Sequence, residues 1–311
     1  MWIEILGAAA GGGFPQWNCA CPNCRAVRAG TFQGKPRTQT QVAVSGDGKD
    51  WFLLNASPDL RIQIEATPAL HPKTFSTRDG VRDSPIQGVV LTGADVDQAW
   101  GLLLLRELQP LHIYASASVR RILCADNSMF GMLRRQSGQT KWTDVRPDEA
   151  FDLTNIQGKS CGLHCRALPM ARRYPAYVSA EALAKLSSEE AVFGLMIESA
   201  SGGKLAYLPA VAEVTDALLD VLEGVDLVLF DGTFWSDDEL IRVQGSGQTA
   251  RAMGHLPVSS TLERLASLRR PRKIFLHINN TNPILNEACD EHARVRAAGW
   301  EIAEDGWQIQ L

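Results

Sequence analysis

The sequence lacks the features that would send a chain to a membrane, to a nucleic acid or out of the cell. Its greasiest stretch, Gly101 to Leu105, falls far short of the roughly 20 apolar residues that a spanning helix needs. The opening Met1-Trp2-Ile3-Glu4-Ile5-Leu6-Gly7 carries no basic residue and reads as a first β-strand, not a secretory leader. Charge of either sign is barely in surplus: a net charge of -4 gives no broad reason to bind nucleic acid or an anionic surface. Internal repeats, charge blocks and low-complexity linkers are missing as well. These absences predict a soluble, cytoplasmic protein without membrane insertion or a nucleic-acid partner. They also predict a single domain over residues 1–311, and they leave the oligomeric state, a homodimer included, open.

A hydrophobic fraction of 45% with a mean hydropathy of -0.10 is ordinary for a chain with a sizeable core. Strand-like runs recur at Trp2–Leu6, Gln41–Ser45, Trp51–Asn55, Gly88–Thr92, Leu111–Tyr114, Val192–Ile197, Lys204–Leu208, Leu227–Phe230, Lys273–His277 and Gln308–Leu311. Helical patterns fall between them, among them Asp97–Glu107, Ser118–Asn127, Val214–Leu222 and Glu287–Ala298. Paired strands in both halves, with helices after most strand groups, favour a two-sheet α/β sandwich over a strict βαβ repeat. The polar, Pro-bearing stretches His71–Pro85 and Ser137–Asp148 read as surface excursions.

Seven cysteines is an odd count, and three of them crowd together in Cys19-Ala20-Cys21-Pro22-Asn23-Cys24. Without a secretory signal, such clustering favours metal over disulfides. Three thiolates in one tight loop can take three corners of a tetrahedral zinc site. A structural zinc on Cys19, Cys21 and Cys24 follows, its fourth ligand open among the six histidines and Asn280. Cys124, Cys161, Cys165 and Cys289 are expected to be buried small hydrophobes. The turn Ala8–Pro15 is glycine-rich but fits no nucleotide-binding spacing. Its glycines are expected to allow positive φ and a close backbone approach to a ligand cavity.

The strand Gly88–Thr92 runs into Gly93-Ala94-Asp95-Val96-Asp97-Gln98. Positions 93, 95, 97 and 98 have the spacing of the H-x-H-x-D-H metal motif but carry Gly, Asp, Asp and Gln. Alone, Asp95 and Asp97 read as a helix N-cap and a first-turn acid. The C-terminal third adds Asp231 at a strand end, His255 before a helix and His277 at another strand end. Carboxylate and imidazole together suit a divalent metal such as Fe²⁺, Mn²⁺ or Zn²⁺.

Several motifs stand out together: Leu6-Gly7, Gly11-Gly12-Gly13-Phe14-Pro15-Gln16-Trp17-Asn18-Cys19, Arg37-Thr38-Gln39, Asn55-Ala56-Ser57-Pro58-Asp59, Gly101–Glu107, Phe230-Asp231-Gly232-Thr233, Met253-Gly254-His255 and His277-Ile278-Asn279-Asn280-Thr281-Asn282-Pro283. As a set they resemble the PqqB family of metallo-β-lactamase-like proteins of pyrroloquinoline quinone (PQQ) biosynthesis. The resemblance runs over essentially the whole chain and implies an αββα sandwich of two mixed sheets flanked by helices. It implies a catalytic metal near Asp97, position 98 and His277, with Asp231 close by, and a proton-donating role for His255. At position 98 the family usually has His; Gln98 offers an amide oxygen, a poorer ligand for Fe²⁺ or Zn²⁺.

The activity implied is that of an iron-dependent oxygenase hydroxylating the tyrosine of the PQQ precursor. The alternative is binding and carriage of PQQ or its precursor towards the periplasm, and the third reading is phosphodiester hydrolysis, as in wider kin of the fold. A ligand with the carboxylates of PQQ needs cations, for which Arg37 and Arg106 are the candidates.

Overall fold

Two strand patterns alternate along this chain, and the layering follows from them. Strands such as Leu227-Val228-Leu229-Phe230 are apolar at every position, so both of their faces must be covered. In the computed structural model, which describes residues 1–73, 82–171 and 173–311, that demand is met by two seven-stranded sheets with helices outside each.

The first sheet holds β1 (Trp2–Gly7), β2 (Gln41–Ser45), β3 (Trp51–Leu54), β4 (Ile86–Val90), β5 (Leu111–Ala115) and β6 (Thr140–Asp144) side by side. The second holds β7 (Ala150–Thr154), β8 (Ser160–Ala171), β9 (Val192–Ser199), β10 (Lys204–Leu208), β11 (Leu227–Asp231), β12 (Arg272–Leu276) and β13 (Glu301–Ile302). The chain then returns as β14 (Trp307–Gln310), antiparallel to β1. Each sheet is mixed: β3 to β6 and β10 to β13 are parallel, the remaining neighbours antiparallel.

Leu227 and Leu229 point between the sheets, where they join Ile3, Val42, Phe52 and Leu54. Val228 and Phe230 point outward and pack with Leu222, Leu268 and Trp300. The outer face of the first sheet is covered in the same way, with Leu53 and Ile113 against Leu60 and Val119. Two central faces and two helical covers make the αββα sandwich expected from the sequence.

Several expectations change in detail. The run expected as one helix, Asp97–Glu107, is a single α-turn, Val96–Ala99, followed by a 3₁₀ stretch, Trp100–Leu105. The run docks on the 56–57 segment instead of continuing its own ladder: Gly101 donates its amide to the Ala56 carbonyl (2.8 Å), Gln98 accepts from the Ala56 amide (2.6 Å), and a Cβ at 101 would be 2.3 Å from the Ser57 carbonyl oxygen. The stretch Ser137–Asp148 is not only a surface excursion, because it contains the edge strand β6. Of the other excursion, His71–Pro85, residues 74–81 lie outside the described residues. The hairpin β7–β8 carries His164, Arg166 and Pro169 and gives no strong apolar signal, so the sequence reading passed over it. Of the four scattered cysteines only Cys165 is buried; Cys124, Cys161 and Cys289 are half-buried. No helix among the described residues is long and apolar enough to cross a membrane.

One buried carboxylate tests this packing. Glu239 opens the helix Glu239–Gln244 and is 1% exposed. It accepts hydrogen bonds from the Trp235 amide at 2.6 Å and the Thr281 hydroxyl at 2.5 Å. Burial outweighs these bonds and pushes its pKa up to about 7 from 4.5. The folded state therefore holds a proton that the unfolded chain has released, so stability falls as pH rises from 4.5 to about 7. The loss is on the order of 3 kcal/mol. In Glu239→Gln this loss disappears: denaturant titrations should show the variant gaining on the parent over that window and level above it. A difference that stays constant with pH would refute the assignment.

Candidate functional site

In open α/β sheets, ligands gather beyond the carboxyl ends of parallel strands. Here β4, β11 and β12 each end in a chemically useful loop. After β4, Thr92 donates both its backbone amide (2.8 Å) and its hydroxyl (3.0 Å) to Asn55 Oδ1, which fixes the start of the 93–98 loop. Asp95 takes the N-cap position of the following turn, but its side chain makes no capping bond. Asp97 lies in the first turn, as expected, and its Oδ2 is 3.1 Å from His277 Nε2. The two acids hold the positions read from the sequence, but neither side chain is spent on capping.

After β11, Asp231 is fully buried and accepts four hydrogen bonds. Oδ1 takes the Thr233 amide (3.0 Å) and hydroxyl (2.6 Å); Oδ2 takes the Val211 amide (2.9 Å) and His255 Nδ1 (2.7 Å). After β12, His277 sits in the left-handed region at φ +57, a conformation costing roughly 1–2 kcal/mol for a residue with a Cβ. Its Nδ1 is 2.8 Å from Thr233 Oγ1, and His255 Nδ1 is 3.1 Å from the same oxygen. The two imidazoles stack, centroids 5.5 Å apart and planes 21° off parallel.

This network fixes the tautomers. Thr233 has one hydroxyl proton, and Asp231 Oδ1 takes it, so Thr233 can only accept from the imidazoles. His277 Nδ1 therefore donates to Thr233, and His255 Nδ1 donates to Asp231. His255 keeps its Nε2 for whatever lies in front of it, and His277 turns its Nε2 to Asp97, the carboxylate that would share a cation with it. Burial disfavours the imidazolium of His277, but the Asp97 hydrogen bond and the charges of Asp97, Asp231 and Asp95 outweigh it and raise its pKa. Burial and the Asp97 charge push Asp95 up to about 6.

In front of the rings is a cavity of about 580 Å³, walled by Gly11, Gly12, Asp97, Gln98, His255 and His277, with Arg173 and Tyr177 opposite. The glycine-rich turn does line it, and Gly12 takes φ +94. Gly11 packs directly beside the acid: a Cβ there would be in contact with Asp97 Oδ2 at 3.5 Å. Gln98 is buried, and its Oε1 has no hydrogen-bond partner among the described residues. The donors facing this cavity, imidazole and carboxylate with an amide beside them, fit one divalent cation.

Asp231 lies within 4.8 Å of the ligand atoms of His255 and His277, but it is not among the residues lining the cavity. Arg37 and Arg106 are not there either. The buried Arg37 spends its guanidinium on the Ala303 and Lys35 carbonyls, and Arg106 bonds the Leu103 carbonyl and faces Glu107. The arginine lining the cavity is Arg173, whose guanidinium donates to the Ala252 carbonyl and whose charge acts on Asp95. A basic pair just past a long strand was its sole sequence signal. A second cavity of about 590 Å³ also has arginines, but Arg120 is paired with Asp144 and Arg134 bonds the Cys124 carbonyl.

At the knuckle the sulfurs of Cys19, Cys21 and Cys24 converge. Asn280, one of the candidates for the fourth corner, faces them: its side-chain amide nitrogen lies 3.1, 3.6 and 3.3 Å from the three sulfurs. A half-turn of that amide exchanges nitrogen for oxygen. Asn23 ties the same loop down by donating to the carbonyls of Asn280 and Asn282. Burial pushes the Cys21 thiol up to about 12, so metal binding here must displace protons.

Fold and strand-end site define a class, and the comparisons agree with it: the family model described as the β-lactamase superfamily domain matches residues 50–278. Within that class the chain belongs to the coenzyme PQQ synthesis protein B family. It is 40% identical to the member from Methylobacterium radiotolerans over the full length of both chains. It is 43% identical to that from Gluconobacter oxydans, over 99% of this chain and 98% of the other. The crystal structure of Zn²⁺-bound PqqB from Methylobacterium extorquens superposes with a TM-score of 0.89 at 39% identity, covering all of both chains. A diphosphatase of the PhnP family, at 20% identity and a TM-score of 0.66 over 99% of this chain and 96% of the other, shares the fold.

The knuckle gives a direct test. Purified protein is expected to hold about one tightly bound zinc per chain at the thiolates. Cys21→Ser should lower the melting temperature, because metal-binding energy at such a site is folding energy. Metal-free protein that melts at an unchanged temperature would refute this role.

Proposed function

We propose that this chain acts in PQQ biosynthesis as an iron-dependent oxygenase, hydroxylating the tyrosine-derived ring of a PQQ precursor. The supporting observation is the pairing of His277 Nε2 with Asp97 Oδ2 on the floor of an open cavity. His277 and Asp97 would hold the metal, and Fe²⁺ there would supply O₂ activation. In the overall reaction one oxygen atom enters the ring in place of hydrogen and the other leaves as water. The two electrons and two protons required come from an external two-electron reductant.

The chain's own residues do the rest. Thr233 and Asp231 fix the imidazoles, Gly11 and Gly12 bring the backbone close, and Arg173 binds a substrate carboxylate by charge-assisted hydrogen bonds. Hydrolysis of a phosphodiester is disfavoured, since Gly93, Asp95 and Gln98 leave a two-metal site without its imidazoles. A carrier role keeps support from Arg173, because a cation at the cavity wall suits a carboxylated quinone whether or not metal is bound.

The two readings separate in one set of measurements. Anaerobically Fe²⁺-loaded protein, given a tyrosine-containing precursor and then O₂, should consume O₂ and yield a product with one added oxygen atom. PQQ binding by metal-free protein, with no O₂ uptake by the loaded form, would instead identify a carrier. Under either reading Arg173→Ala should weaken PQQ binding about 10- to 100-fold, the range for losing a charged hydrogen bond. Unchanged affinity by calorimetry would remove Arg173 from the site.

A further inference from the structure

Gln98 does not present a ligand cleanly to the cavity. Its Oε1 is lodged against Gly93, where an added Cβ would come within 2.4 Å of it. Asp97 and His277 then need another strong donor if a cation is to be held firmly, and the neighbouring ring is placed to be one. We propose that His255 supplies the second nitrogen ligand of the cavity metal, and that Asp231 positions it. With His277 and Asp97 it completes a set of two imidazoles and one carboxylate.

Three observations carry this. His255 and His277 both line the cavity and are stacked, so their edges face the same space. His277 Nδ1 is held from behind by Thr233 Oγ1 and His255 Nδ1 by Asp231 Oδ2, so the Nε2 of each ring lies on the side away from that pair, that of His277 beside Asp97. Asp231 accepts from His255 Nδ1 at 2.7 Å and is itself saturated by two backbone amides and a hydroxyl, so it orients the ring without competing for the cation. A carboxylate behind an imidazole fixes its tautomer and raises its basicity as a ligand. A proton-donating His255 would need its proton on Nε2; a ligand needs that lone pair, and in the neutral ring Asp231 leaves it free. Two imidazoles and a carboxylate with open positions suit a non-haem Fe²⁺ centre.

The inference rests on the cavity being a metal site, and the test keeps the two apart. Protein labelled with ¹⁵N-histidine, its knuckle already filled, is titrated with Zn²⁺ and followed by imidazole ¹⁵N NMR. Nε2 of both His255 and His277 should move to ligated positions together. His255→Ala should lower Zn²⁺ affinity at least tenfold, and adding Gln98→His to that variant should restore most of the loss. Movement of His277 alone would overturn the His255 assignment and leave the cavity metal standing. Movement of neither would overturn both. The wild-type spectra decide the matter even if His255→Ala folds poorly.

Discussion

The rest of the site hangs on the buried carboxylate of Asp231. It sits at the end of β11, a strand covered on both faces, where an unpaired charge would be strongly destabilising. Four hydrogen bonds keep it ionised: burial raises its pKa, but His255, His277 and the Thr233 hydroxyl together outweigh that and hold it below the ordinary range. Because Asp231 takes the only Thr233 hydroxyl proton, Thr233 must accept from His277. Because it also takes the His255 Nδ1 proton, the second ring is fixed as well. One carboxylate thereby orients two side chains from two other segments, His255 ahead of the helix Val258–Arg264 and His277 beyond β12.

Much of this was legible in the sequence, for physical reasons. An all-apolar run such as Leu227–Phe230 fits only a doubly covered strand, and it marks Asp231 as an acid at a strand end. The C-x-C-x-x-C spacing limits the sulfurs to one locus. The glycine-rich turn could be read as a close approach because little else needs three successive glycines. Contacts between distant segments were illegible. Nothing in the sequence distinguishes a first-turn Asp97 that faces His277, 180 residues away, from one that only favours the positive end of its own helix, the more common fate of an acid at that position. Arg173 was hidden for the converse reason: Arg37 stands in a distinctive motif, yet its guanidinium is spent holding the Ala303 and Lys35 carbonyls.

The two candidate metal loci are mechanically joined. Asn280, which faces the knuckle sulfurs, follows His277 by three residues, and the segment between them is held at both ends. Ile278 donates its amide to the Ala8 carbonyl, and Asn279 donates its own to the Thr233 carbonyl. Asn282 adds side-chain bonds to the carbonyls of Gly232 and Thr233. Energy gained by metal at the cysteines is therefore available to hold His277 in its left-handed backbone conformation. A free chain would leave that conformation readily.

Gln98 acquires a different meaning in this setting. It does more than replace an imidazole, because its carbonyl occupies the space that any side chain at position 93 would need. Gly93 and Gln98 are sterically coupled, so the two outer positions of the loop motif cannot both carry ligands while the glutamine keeps this conformation. A side chain at 93 forces the end of Gln98 to move, and it would also touch the Ala191 carbonyl, 3.5 Å from a Cβ at 93. The loop is thus packed around having few ligands of its own. A cation in this cavity must take its nitrogen donors from the opposite sheet, where Asp231 and Thr233 already hold two imidazoles in place.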